Sequence, residues 1–334
     1  MTNFLKNKAI YDATLLAYRG GVKCIDESKG NMTSDSLFAV ASISKLYTHA
    51  LIFQLIDVGA LSYGTKLTDV LSRDLTERLP QVEDVTIRHL VDQNTGFPNY
   101  EMDRQPNGKV LMNEIFQHDR RVEFEEVLEI VSRLAPKSKL GGQKAYYADI
   151  NAMLLGKIAE VVTGKSAKQL LADHICRPLG LVRTHWSDGR EKIVPIYNGV
   201  HIVVCQEYLS SQVYQGGIIA TNSELMRFTR AFFGGKLFSP SHIAHPIFRT
   251  IQFRPIKYGS GMMQLTIASL VAYFLGGVRE IRGHSGITGS FAFYCSQKDV
   301  FVTGTVNQLK YKPYATIFRS IAACDKNRKS NDEN

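Results

Sequence analysis

Residues 41–61, ASISKLYTHALIFQLIDVGAL, read as a helix that is apolar almost all the way round, and such a helix must be enclosed by the rest of its domain. Gly59 stands where its C-terminal cap should fall. Near its start are Ser42 and Lys45, three positions apart and so on one face. A lysine goes fully inside only when something pairs with it. A hydroxyl and an amine placed this way can share a proton, and burial favours the neutral amine that could serve as a base. The helix N-terminus also favours developing negative charge. The pair is therefore a candidate nucleophile with its activator, although Ser42 could also be a simple helix cap.

Working outward, YDATLLAYRGGVKCIDES before this helix reads as two strands around a Gly-Gly turn. From about 61 to 200 the pattern is helical and rich in loops. EFEEVLEIVSRL is amphipathic, and DINAMLLGKIAEVVTG places Ile150, Met153, Leu154, Ile158, Val161 and Val162 on one face, with Gly164 at its stop. After about 210, SELMRFTRAFFGG gives one more helix, GSFAFYCS and DVFVTGTVNQ read as consecutive strands, and TIFRSIAACDK closes as a helix. Strands at both ends with helices between them predict an α/β (α+β) chain whose single sheet is built from its two termini.

The 334 residues suffice for one large or two intimate domains, and 44 % hydrophobic with 21 % charged residues excludes wholesale disorder and a coiled coil. Net charge is +9, but the charges are scattered and no basic helix or RNA-binding signature is present, so no nucleic-acid partner is expected. The densest basic run, DKNRKSNDEN, reads as a disordered tail over 326–334. Five widely separated cysteines without a Cys-x-x-Cys pair suggest neither a disulfide framework nor a zinc site. The N-terminal stretch lacks the pattern of a secretory signal, and the longest apolar run, TIASLVAYFLGGV, falls short of a membrane span. A cytoplasmic protein with no membrane span is the expectation.

Two further elements change the weight of the Ser42–Lys45 pair. YYADINAMLLGKIAEVVTG sets Tyr147 and Asp149 just before an apolar helix, and RGHSGITGSFAFYCS sets His284, Ser285 and Gly286 just before a strand. With Ser42-Ile43-Ser44-Lys45, Tyr147-Ala148-Asp149 and His284-Ser285-Gly286 in this order, the chain resembles the serine β-lactamase and penicillin-binding protein superfamily. The resemblance is to the β-lactamase-related, class C-like group, close to family VIII esterases, and runs from about residue 12 to 320.

That resemblance implies a β-lactamase/transpeptidase-like fold: a central antiparallel sheet flanked by helices, from about 1–60 and 201–325, with a helical subdomain inserted over 61–200. It implies a serine hydrolase working through an acyl-enzyme. Ser42 would attack a carbonyl, Lys45 and Tyr147 would exchange its proton, and the backbone N–H groups of Ser42 and Ile287 would form the oxyanion hole. Asp149, His284, Ser285, Gly286 and Ile287 would line the substrate, with no metal or organic cofactor. Small esters, β-lactams and D-amino-acid peptides are the substrate classes implied. Oligomeric state is not legible.

Two departures from the family pattern matter. Asp149 stands where many members have Asn, and a carboxylate cannot donate to an acyl-amide carbonyl. Its charge would hold Lys45 as an ammonium and move the base role toward Tyr147. His284 replaces a lysine, which weakens any fixed positive charge for a substrate carboxylate. Both favour ester or small-peptide hydrolysis over β-lactam hydrolysis. The alternative from another class is a non-catalytic relative that holds a peptide or cell-wall fragment in the same groove.

Overall fold

The computed structural model describes residues 6–332, with side chains through Cys324. Alternation from Ala13 onward produces the expected hairpin, strands Ala13–Arg19 and Val22–Lys29, turning at Gly20 and Gly21. It forms one edge of an eight-stranded antiparallel sheet. The strand order is Val22–Lys29, Ala13–Arg19, Val300–Thr305, Ser290–Cys295, Glu280–Ser285, Met262–Thr266, Lys257–Gly259, Arg249–Thr250. The first and last parts of the chain thus lie side by side, with Leu16 opposite Thr303.

Strand alternation divides the apolar side chains between two cores. On one face, Leu15, Ala17, Phe291 and Phe293 pack with Ile317, Phe318 and Ile321 of the C-terminal helix Tyr314–Asp332. On the other, helix Asn222–Phe233 and helix Ser44–Asp57 share a core with the helical segments that follow. Helix Ser44–Asp57 is buried from Ser44 through Phe53, as its all-round apolar character predicts. It ends where Gly59, at φ +74°, lets the chain reverse, and Ala60 and Leu61 both donate to the Leu55 carbonyl.

The structure departs from the sequence reading in four places. Ser42 lies not in the helix but in a 3-10 turn, Ala41–Ile43, that precedes it. Helix Ile150–Thr163 is enclosed on more than one face: Asn151, Ala152, Leu155 and Ala159 are buried as well, because it packs between helices Ser44–Asp57 and Ile87–Val91, whereas Val161 projects outward. The segment read as helical and rich in loops also includes strand His185–Trp186, paired with Ile218–Ala220, and strand Ile196–Asn198, paired with His201–Val203. Finally, the C-terminal helix continues to Asp332, through most of the expected disordered tail, because a docked helix propagates at one hydrogen bond per added residue. Residues 333–334 lie outside the described residues. No helix among the described residues is long and apolar enough to cross a membrane.

Candidate active site

The turn that carries Ser42 is strained. Ala41 takes φ +50°, uncommon for a residue with a Cβ, and it leaves Ser42 half-buried at the surface of a cleft. Lys45, one turn on, is wholly buried. Its Nζ lies 3.2 Å from Ser42 Oγ, donates to the Gln215 carbonyl at 2.8 Å, and stands 2.5 Å from Asp149 Oδ1. The buried lysine therefore has its partner, and that partner is a carboxylate. Asp149 sits at the N-cap position of helix Ile150–Thr163 but makes no capping hydrogen bond there. It faces Lys45 instead, and its Oδ2 accepts from Asn99 Nδ2 at 2.9 Å.

Tyr147 enters from the same segment. Its ring lies 5.1 Å from Lys45 Nζ, and its buried hydroxyl faces the Ser42 side chain with no other partner among the described residues. Burial, and after it the charge of Asp149, pushes this phenol well above its ordinary range. The same carboxylate that holds the lysine thus also disfavours a phenolate, which opposes the expected shift of the base role to Tyr147.

The third element closes the cleft. Strand Glu280–Ser285 turns at Gly286, where a Cβ would stand 2.8 Å from the Val40 carbonyl and 2.7 Å from Ala41 Cβ. Only glycine allows the two turns to meet. Ser290 Oγ donates to the Val40 carbonyl at 2.7 Å and fixes that contact. Ile287 lines the cleft together with Ser42, and Ser285 points into it with Oγ 2.9 Å from Tyr314 Oη. His284, expected to contact substrate, does not line the cleft. Strand alternation turns it inward, fully buried, with its ring 6.0 Å from that of Tyr147 and 5.8 Å from Tyr258. Burial, and then Lys45, hold it well below the usual histidine range, so it is neutral. Its Nδ1 lies 2.9 Å from the Ser285 carbonyl.

Sequence reasoning missed a second tier of residues. Glu101, just past the FPNY stretch, lies in the cleft wall, and Oε1 accepts from Tyr208 Oη at 2.6 Å and Gln215 Nε2 at 2.9 Å. Burial, then the charge of Asp149, pushes its carboxyl up to about 8. Asn99 and Gln215, which hold Asp149 and Lys45, were also invisible, because no spacing in the chain joins residues separated by 50 and 170 positions. Two pockets meet at Ser42. One is lined by apolar side chains that include Met112, Phe116, Ile196, Val203 and Leu309. The other is lined by Asn99, Tyr147, Phe253, Ser285 and Tyr314 among others. Glu101 and Ile287 border both. Chemically, the site sets a hydroxyl beside a buried ammonium–carboxylate pair with room on either side for the two halves of a substrate.

Known proteins resemble the chain in sequence and in fold. The β-lactamase family model matches residues 1–323. Penicillin-binding protein 4 of Amycolatopsis lactamdurans is 29 % identical over 150 residues, 45 % of this chain and 36 % of that protein. The chain spans about a third of the length of the first curated relatives it matches. A D-stereospecific amidohydrolase from Streptomyces superposes with a TM-score of 0.79 over 96 % of both chains at 20 % identity. D-amino acid amidase from Ochrobactrum anthropi superposes with a TM-score of 0.75 over 97 % of this chain and 95 % of its own, at 18 % identity. These likenesses bear out the antiparallel-sheet fold implied by the sequence.

Proposed function

The chain belongs to the β-lactamase family, and from that premise we propose that it is a serine hydrolase that cleaves small amides or esters through an acyl-enzyme on Ser42. The observation that carries the reading is Lys45 Nζ, buried, 3.2 Å from Ser42 Oγ and 2.5 Å from Asp149 Oδ1. As Ser42 Oγ bonds to the substrate carbonyl carbon, its proton passes to Lys45, and an ammonium proton crosses to Asp149. Tyr147, a neutral hydroxyl facing Ser42, relays that proton from the Lys45–Asp149 pair to the leaving nitrogen or oxygen, and when water attacks the acyl-enzyme its proton returns by the same relay as Ser42 Oγ is released. The backbone N–H groups of Ser42 and Ile287 receive the oxyanion, a reading supported by the close approach of Gly286 to Val40 and Ala41. Ser285, Gly286 and Ile287 keep their roles around the substrate, Asp149 serves Lys45 instead, and His284 supports Tyr147 from behind rather than touching substrate.

The two pockets suggest the substrate class. An apolar side chain suits the Met112–Phe116 side, and the leaving group suits the Tyr147–Tyr314 side. With Asp149 engaged by Lys45, Glu101 is the acid left at their junction, and an ammonium placed there would ionise it. The reading is therefore an amide or ester of an amino acid with a free amine and an apolar side chain. The similarity to amidases named for D-amino acids supports the D configuration. The test is turnover of D- and L-phenylalanine amide, a short p-nitrophenyl ester and nitrocefin. Amide turnover with D preference, with KM raised in Glu101→Gln only for amine-bearing substrates, is expected. Faster hydrolysis of nitrocefin than of any amide or ester overturns the reading, and inertness toward all of them favours the non-catalytic binding alternative.

A further inference from the structure

Gln215 is buried in the loop between helix Gln206–Ser211 and strand Ile218–Ala220. The loop is held in place. Tyr214 takes φ +76°, a left-handed conformation that an aromatic residue rarely adopts, and its carbonyl accepts from Thr48 Oγ1 at 2.6 Å, while Gly217 N donates to the Gln212 carbonyl at 2.7 Å. This backbone presents two acceptors of one residue to Lys45. Nζ lies 2.8 Å from the Gln215 carbonyl and 3.3 Å from Gln215 Oε1, with Asp149 Oδ1 at 2.5 Å and Ser42 Oγ at 3.2 Å. Once an N–H has crossed to Asp149, the amine keeps two, and Gln215 supplies an acceptor for each. The lone pair is then left facing Ser42 Oγ.

The other end of the same amide reaches the acid at the junction of the two pockets. Gln215 Nε2 donates to Glu101 Oε1 at 2.9 Å, to Tyr100 Oη at 3.1 Å and to Gln212 Oε1. An amide turned over would set its oxygen against the Glu101 and Gln212 oxygens and its NH₂ against the lysine, so one orientation satisfies both ends. Tyr208 and Tyr100 hydroxyls also donate to Glu101 Oε1, which fixes that carboxyl beside the cleft. With its carboxyl pushed up to about 8, Glu101 is a neutral acid at neutral pH until an ammonium arrives. Ionisation then turns the Gln215–Glu101 hydrogen bond from a neutral one into a charge-assisted one, which is markedly stronger.

We propose that Gln215 is a positioning residue that transmits amine recognition at Glu101 to the base: an ammonium bound at Glu101 tightens the Gln215 amide, which holds Lys45 with its lone pair on Ser42. The inference rests on the serine-hydrolase reading above and adds to it that the substrate's amine speeds the chemistry as well as binding. Selection of amine-bearing substrates therefore appears in kcat and not in KM alone. The side chain touches neither substrate nor Ser42, and acts through Lys45.

The test compares kcat and KM of the full chain on D-phenylalanine methyl ester and methyl 3-phenylpropionate, which differ only in the amine. Each kcat is divided by the spontaneous hydrolysis rate of its ester, because an ammonium activates its own carbonyl. For wild type the normalised kcat should favour the amine-bearing ester about tenfold, the gain from one charge-assisted hydrogen bond. Gln215→Met, which keeps the backbone carbonyl and loses both ends of the amide, should lower kcat on both esters and bring that ratio to about one, with KM for the amine-bearing ester little changed. Glu101→Gln should remove the same advantage and raise KM, and the double variant should lose no more of the ratio than either single one. A Gln215→Met protein that loses kcat equally on both esters overturns the proposal, since a merely structural role does that. A wild-type ratio near one also overturns it, whether or not the variants fold, and leaves the hydrolase reading standing. No turnover of either ester by wild type removes that reading, and this inference with it.

Discussion

Removing the Asp149 carboxylate should leave Lys45 as a buried cation without its counter-charge. At 2.5 Å and an effective dielectric of about 20, the attraction between the two is about 7 kcal/mol. Desolvation of both groups, 0 % and 4 % exposed, offsets most of it, so the intact pair adds little net stability. Loss of one partner is different, because the other keeps its desolvation cost. Asp149→Asn should therefore lower stability by about 3–5 kcal/mol, and Lys45→Met, which strands the carboxylate, by a similar amount. The double variant should cost well below the sum, with a coupling of about 3 kcal/mol. Urea unfolding of the four proteins at neutral pH measures the cycle. Additivity within about 0.5 kcal/mol would refute the pairing, as would an Asp149→Asn protein as stable as wild type.

Three further outcomes follow from the same geometry. Tyr147→Phe removes a hydroxyl that faces Ser42 and has no other hydrogen-bond partner among the described residues, so stability should change by less than about 1 kcal/mol while kcat falls about 10²-fold or more, read by thermal unfolding beside steady-state kinetics. Gly286→Ala would drive a Cβ against the Val40 carbonyl and Ala41; a stability loss of about 1–3 kcal/mol with near-complete loss of activity is expected, and a fully active variant would show that the two turns need not meet. Glu101, raised to about 8, binds more protons folded than unfolded between about pH 4.3 and 8. Its contribution to stability is thus full below that window and declines as pH rises through it, by at most about 1.4 kcal/mol per unit; Glu101→Gln should remove this slope in urea titrations at acid, neutral and alkaline pH.

Much of this architecture was legible because it is written locally. The all-round apolar run after Lys45, the Gly-Gly hairpin, and the β-branched alternation of DVFVTGTVNQ each carry their own period, and each produced the expected element. Val161 was misplaced because one-face periodicity assumes a single packing partner, and this helix has two. His284 was misread for a related reason: a motif gives neighbours in sequence, but strand alternation sends Ser285 and His284 to opposite sides. Glu101, Asn99 and Gln215 come from loops whose positions are set only by packing, and nothing in their local sequence distinguishes a buried acid from a solvated one. The paired carboxylate on Lys45 was half legible. Asp149 was marked as a departure from the family pattern, but its alignment with the lysine emerges only when the two helices cross.

The most direct test of the account is mass spectrometry of the intact protein after exposure to a fluorophosphonate, followed by peptide mapping, with Ser42→Ala alongside in both labelling and ester turnover. A single adduct on Ser42, absent from Ser42→Ala together with turnover, is the predicted result. A label on another residue, or undiminished turnover by Ser42→Ala, would contradict the assignment of Ser42 as the nucleophile.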